Sequence, residues 1–356
     1  MKILVTYYIA SGGVETLNRM KYKALQKYGI DCHFLYQWTG GGISNAYDIP
    51  VHVSEDYEYI QNLLRRENFD LVIVCSNFYM LRLIREFGFA GPVVYEVQGL
   101  GTWDEAREIL HQAIPFIHAH CNAALYPVTS HLVALFNSIF PGLKRYCFHN
   151  GLDTEQFKYR TLPRKMNPLI GWVGRIEPNK NWQYFLQIAR HLLEENPLIN
   201  IWMIGEQNLG SEKDRQVFNQ LMVNSPFQSR VTWHANVPYH EMDHYYSMIG
   251  DSGGFLCSTS ICEGFGYAVA EAMCCRCPVV VTDSDGIRSM VIHNVTGKLI
   301  DQYELNQAVS EAKEVLYNNA LRADLILQAE QHVKSIFTLD AYGWNLNKMI
   351  RELVGN

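Results

Sequence analysis

The chain has 356 residues, of which 48% are hydrophobic and 19% charged, with a formal net charge of −6. That length exceeds one ordinary core and suits two α/β domains of about 150–200 residues each. The composition excludes a disordered chain, and the acidic balance gives no global basic field for nucleic acid.

Short apolar runs alternate with longer helical patterns from the first residues on. Lys2–Tyr8 reads as a strand, Gly13–Lys27 as a helix closed by Gly29, and Asp31–Tyr36 as a strand. Tyr57–Glu67, Met80–Phe87 and Asp104–His118 carry helical spacing, and Asp70–Cys75, Pro92–Val97 and Ala124–Val128 read as the strands between them. Continuous apolar strands alternating with helices predict a parallel sheet covered on both faces. Lys158–Pro168, with Pro163, Pro168 and the cations Lys158, Arg160, Arg164 and Lys165, interrupts the pattern and reads as a linker.

The alternation then restarts. Strands are predicted at Leu169–Val173, Ile199–Gly205, Val231–His234, Gly254–Ser258 and Pro278–Thr282. Helices are predicted at Trp182–Glu195, Asp214–Val223, His240–Ile249, Tyr267–Cys274, Leu305–Asn318 and Leu339–Val354. Ligands of such sheets sit at the carboxyl ends of strands, near helix N-termini, so the chemistry belongs in strand-to-helix loops.

Two loops stand out. Glu263-Gly264-Phe265-Gly266 opens a helix in which Glu271 follows eight residues after Glu263. Its glycines admit close backbone approach, and a helix N-terminus suits a diphosphate. Gly174-Arg175-Ile176-Glu177-Pro178-Asn179-Lys180 places two cations after a strand, one able to grip phosphate bidentately and one a mobile point charge. Taken singly, these are solvated turns with surface charges. Ser11-Gly12-Gly13-Val14-Glu15 after the first strand is a weaker signal of the same kind.

Taken together, the Glu263 loop with Glu271-Ala272-Met273, Gly12-Gly13-Val14-Glu15, Asn150-Gly151-Leu152-Asp153 with Phe157, Gly174-Arg175 with Lys180, and Asp283–Gly286 resemble retaining glycosyltransferases of the GT-B fold, family 4 (group 1). The resemblance covers nearly the whole chain. It implies two Rossmann-like doubly wound domains with an interdomain cleft: residues 1–160 for the acceptor, 161–338 for a nucleotide-sugar donor, and helix 339–356 packing back on the first. It implies transfer of a sugar from a nucleoside-diphosphate sugar, UDP favoured, to a hydroxyl acceptor in envelope glycan or glycoconjugate synthesis. Arg175 and Lys180 would stabilise the leaving diphosphate, Glu263 would orient the sugar and Glu271 would hold the ribose. Gly12, Gly13, Gly264, Phe265 and Gly266 would line the donor site.

Two positions depart from the family pattern. Many members have a histidine where Gln98 stands, and often a glutamate where Ser289 stands. Glutamine cannot titrate, but it can hydrogen-bond a sugar hydroxyl or the acceptor. A nucleotide-sugar epimerase of the same fold and a non-catalytic nucleotide-sugar-binding subunit stay open as alternatives.

No metal or cofactor is expected. Asp283-Ser284-Asp285 has the form of a metal-binding motif from a different fold, and Cys274-Cys275-Arg276-Cys277 lacks a second ligand pair for zinc. The acceptor class is open between glycan, lipid-linked and small-molecule. The expected location is the cytoplasm, with basic N-terminal helices as a candidate peripheral membrane contact weighed against ordinary solvated faces. Thr39–Ser44 is expected to be a flexible loop.

Overall fold

The computed structural model describes residues 1–45, 48–163, 165–206, 210, 212–223, 227 and 229–355. Arg164, grouped above with the linker cations, and Asn356, at the end of the C-terminal helical segment, lie outside the described residues. The chain divides into two compact units, residues 1–152 with 337–356 and residues 153–336.

In the first unit, β1 (Lys2–Ile9), α1 (Gly12–Gln26), β2 (Asp31–Trp38), β3 (Val51–Val53), α2 (Tyr57–Glu67), β4 (Leu71–Cys75) and α3 (Phe78–Glu86) follow in order. Then come β5 (Val93–Glu96), α4 (Trp103–His120), β6 (Ala123–Tyr126), α5 (Ser130–Ile139) and β7 (Lys144–Cys147). The strands form one parallel sheet in the order β3-β2-β1-β4-β5-β6-β7. All five residues of β4 are buried, as a strand covered on both faces requires. α4 begins on a capping box: Thr102 and Glu105 bond reciprocally across the first turn.

The second unit repeats the plan: β8 (Leu169–Val173), α6 (Trp182–Glu195), β9 (Asn200–Gly205), α7 (Glu212–Val223), β10 (Val231–Ala235) and α8 (Met242–Asp251). β11 (Phe255–Ser258), α9 (Tyr267–Cys274), β12 (Val279–Thr282), β13 (Lys298–Ile300), α10 (Leu305–Tyr317) and α11 (Asn319–Ile336) complete it. Its parallel sheet runs β10-β9-β8-β11-β12-β13. The final helix, α12 (Leu339–Val354), belongs to the first unit. Gly343 lets it approach α1, since a Cβ there would lie 3.1 Å from the Ala24 side chain. Lys144 pairs with Glu352 at 2.8 Å, and Lys27 with Asp340.

Two local expectations change. The linker expected at Lys158–Pro168 is pinned at its start to the second unit. Tyr159 donates to Asp251 at 3.1 Å and Arg160 pairs with Asp243 at 2.7 Å, both on α8. The units therefore part after Leu152. Thr39–Ser44 is no loose loop either. Gly41–Asn45 is a single 3₁₀ turn packed on the end of β1, with the Gly42 amide donating to the Ala10 carbonyl at 2.9 Å. A Cβ at Gly40 would fall 2.5 Å from the Ala10 carbonyl oxygen, so this glycine serves close packing.

Phe157 is fully buried and packs edge-on against Tyr239 at 5.0 Å and on Tyr246 at 6.4 Å, fastening the entry segment of the second unit. Phe157→Ala should cost about 3–5 kcal/mol of stability, read by urea unfolding. A loss below about 1 kcal/mol would show that this entry segment is not anchored by its aromatic contact.

Candidate functional site

The carboxyl ends of β8 and β11 are neighbours in the second sheet, so the loops that follow them meet. After β8 the chain passes Gly174, Arg175 and a short 3₁₀ turn, Pro178–Lys180, before α6. Asn181 takes a left-handed conformation at the start of α6, φ +45°, a region asparagine tolerates better than most residues. After β11 come Thr259, Ser260 and the Glu263 loop.

The two loops are clipped together by backbone and side chain. The Asn179 carboxamide donates to the Cys262 carbonyl at 3.1 Å and accepts from the Cys262 amide at 3.2 Å. The Ile261 amide donates to the Asn179 carbonyl at 2.8 Å. Thr259 lies within hydrogen-bond distance of the carbonyls of Lys180 and Asn181, 3.0 Å each.

On this frame Lys180 Nζ reaches Glu263 Oε1 at 2.5 Å, and the Ser260 hydroxyl donates to the same oxygen at 2.7 Å. Lys180 and Glu263 are both mostly buried, and both keep some exposure. Charge-assisted bonds of this kind fix an ammonium and a carboxylate in a defined geometry. Arg175 is held apart from the pair, with Nη2 3.0 Å from Glu177.

The rest of the Glu263 element is built by glycines. Gly266, φ +84°, caps the N-terminus of α9. Gly286, on the loop after β12, backs the Glu263 loop: a Cβ there would lie 2.1 Å from the Glu263 carbonyl oxygen and 2.6 Å from that of Gly264. Phe265 is buried against the Tyr267 ring at 4.8 Å. Glu271, one turn into α9, is buried, and each of its oxygens accepts a hydroxyl at 2.9 Å, from Tyr239 and Tyr246. Burial, and next the Glu271 charge, hold the Tyr246 phenol well above its usual range, so it donates as a neutral hydroxyl.

In the first unit Gly12, φ +74°, and Gly13 form the first turn of α1. Gln98 follows β5. Its amide nitrogen donates to Glu96 at 2.7 Å, and its carbonyl accepts from Asn150 at 2.7 Å.

Asp283 does not stand free for a cation, since Arg288 grips both its oxygens at 2.7 and 2.9 Å. Among the described residues no group of three or more His, Cys, Asp or Glu is arranged to hold a metal ion. Burial pushes the Cys274 and Cys277 thiols up to about 12.

A family model described as glycosyl transferases group 1 matches residues 153–332. The chain belongs to that family. The matched stretch lies within the second unit, which carries Lys180, Ser260, Glu263 and Glu271. The putative glycosyltransferase YtcC of Bacillus subtilis is 22% identical over 203 residues, 56% of this chain and 48% of that protein. The chain spans about half the length, or less, of the first curated relatives it matches. The Escherichia coli UDP-Gal:alpha-D-GlcNAc-diphosphoundecaprenol alpha-1,3-galactosyltransferase is 22% identical over 293 residues, 74% of this chain and 70% of that protein. Among solved structures, Anabaena Alr3699/HepE in complex with UDP-glucose superposes with a TM-score of 0.81 at 17% identity, over 99% of this chain and 100% of that one. At that identity the likeness shows the fold, two Rossmann-like parallel-sheet domains of the GT-B type.

Lys180 and Glu263 stand out in the sequence as site residues, whereas Asn179 and Ser260, which join them, and Tyr239 and Tyr246, which hold Glu271, do not. The hydroxyl-rich run Ser258-Thr259-Ser260 at the end of a strand is a signal for Ser260. No local pattern points to the tyrosines, because their contact with Glu271 spans 32 and 25 positions.

Gly286→Ala forces the Glu263 loop to move, because the obstructing atoms are backbone. The expected cost is about 1–3 kcal/mol in urea unfolding, with unchanged far-ultraviolet dichroism. An unchanged unfolding midpoint would mean that the loop yields freely and is not held against Gly286.

Proposed function

We propose that the chain is a retaining family 4 glycosyltransferase. It moves a sugar from a nucleoside-diphosphate sugar, a UDP-sugar in the first instance, to a hydroxyl acceptor of an envelope glycan or glycoconjugate. The observation that carries this reading is the Lys180–Glu263–Ser260 cluster, set between two strand-to-helix loops of the family module and just before the N-terminus of α9. Helix N-termini attract phosphate through free amides and the helix dipole. Lys180 adds a full positive charge beside that end. The names of the E. coli galactosyltransferase and of the UDP-glucose complex support a UDP-sugar donor, and the former also supports an envelope acceptor.

In this reading the diphosphate lies along Gly264–Gly266 and Lys180, with Arg175 turning from Glu177 to share the charge. The ribose diol donates to Glu271, whose carboxylate is already oriented by two tyrosine hydroxyls. Glu263 orients the sugar hydroxyls, and Gln98 serves a hydroxyl of the sugar or the acceptor.

The bond from the anomeric carbon to the phosphate oxygen breaks, and the acceptor oxygen bonds to the same face. The acceptor proton passes to the departing phosphate oxygen, which leaves a glycoside and the nucleoside diphosphate. No protein nucleophile takes part. The protein contributes positioning and charge stabilisation, which are large terms in catalysis. Because Arg175 and Lys180 meet the leaving charge, the reaction proceeds without a resident metal, and a chelator should leave kcat unchanged.

The test is a panel of UDP-, GDP- and ADP-sugars with released nucleotide as the readout. Lys180→Ala should lower kcat by about 10²–10³, and Glu271→Gln should raise the Kd for UDP by about tenfold. Nucleotide bound but never released, under every acceptor offered, fits a non-catalytic binding subunit and sinks the transferase reading. A donor converted into an isomeric nucleotide sugar would mark an epimerase instead.

A further inference from the structure

Beneath Gln98 lies a buried polar chain. Lys21 on α1 and Glu96 at the end of β5 are both wholly inaccessible, with Nζ 2.6 Å from Oε2. Lys21 also donates to Asn18 at 3.2 Å, and Asn18 in turn donates to the Tyr36 hydroxyl at 3.1 Å. The other oxygen of Glu96 accepts the Gln98 amide, and Gln98 in turn accepts from buried Asn150. The thiols facing the pair from β2 and β4, Cys32 and Cys75, are pushed up by burial and stay uncharged, Cys75 at about 12.

Stability does not explain this arrangement. A buried ion pair is on balance no better than a well-packed apolar pair of the same volume, because desolvation offsets attraction. What the charged pair does supply is direction. An ionised Glu96 only accepts, so it takes the nitrogen end of the Gln98 amide. Asn150, bound through its own nitrogen, takes the oxygen end. Flipping the amide would set oxygen against carboxylate and nitrogen against nitrogen. An amide has two N–H groups and a carbonyl with two lone pairs, and one of each is used by these bonds.

We infer that Lys21, Glu96 and Asn150 are positioning residues that lock the Gln98 amide in one orientation, so that its second N–H donates to a hydroxyl oxygen of the sugar or acceptor. This rests on the transferase reading above. It also accounts for glutamine here: its role is a fixed, non-titrating donor, which an imidazole beside Glu96 would not be.

The test pairs two double variants of the full chain. Lys21→Met with Glu96→Leu gives an apolar pair that cannot accept from Gln98, whereas Lys21→Met with Glu96→Gln restores a neutral acceptor. UDP release from a UDP-sugar, together with UDP binding by calorimetry, is the readout. The Leu double variant, Gln98→Leu and Asn150→Asp should each lower kcat about tenfold, with UDP affinity unchanged. The Gln double variant should recover most of the loss. A Leu double variant as active as the wild type, or no more active when Gln replaces Leu, overturns the positioning role while the transferase reading stands. A wild type that releases no UDP from any UDP-sugar overturns both.

Discussion

A lysine ammonium and a serine hydroxyl converge on one oxygen of Glu263, and through that oxygen the loop after β8 and the loop after β11 become one surface. Either loop alone is a glycine-bearing turn. The contact depends on β8 and β11 being hydrogen-bonded neighbours although two strands separate them in sequence. The crossover topology of a doubly wound sheet supplies that adjacency, and it places functional loops at the carboxyl ends of adjacent strands. The Asn179–Cys262 bonds then hold the loops at a spacing where a side-chain contact can form.

The same logic recurs in the helical layer of this unit. Glu271 projects from α9 into a buried setting, where an isolated carboxylate would be costly. Two phenol hydroxyls, one from α8 and one from the turn before it, meet that cost and set the carboxylate's orientation. Phe157 packs behind both rings, so the segment that opens the second unit also supports the acid. One aromatic contact thus links the chain's crossing between units to the geometry of a candidate ligand group.

Much of the fold was legible because period and length agree. The strands Leu71–Cys75, buried throughout, and Leu169–Val173, buried in its first four residues, are continuous apolar runs, and α6 carries a clear apolar stripe. The apolar helix α5 escaped, and so did several elements with weak local signals. β3 has three residues at an edge, β7 carries exposed positions, and α11 is polar around much of its surface. The linker was misplaced for a related reason: proline and lysine content marks a surface segment, but its fastening to α8 depends on residues more than eighty positions away. In the site, glycines and charges announced themselves by spacing. Ser260 and the tyrosines did not, because their meaning is pairwise and non-local.

Gln98 shows how a single departure from a pattern acquires a physical sense. As a letter in the sequence it is only the absence of a histidine. In the fold it is a half-buried link in a polar chain that starts at Tyr36, passes through the core by way of Asn18, Lys21 and Glu96, and continues to Asn150. A histidine would titrate beside that carboxylate and change charge with it. Glutamine keeps this link of the chain neutral, and the carboxylate receives Lys21 on one oxygen and the Gln98 amide on the other. The residue at 98 and the pair beneath it therefore form one unit: altering either changes which hydrogen the other presents.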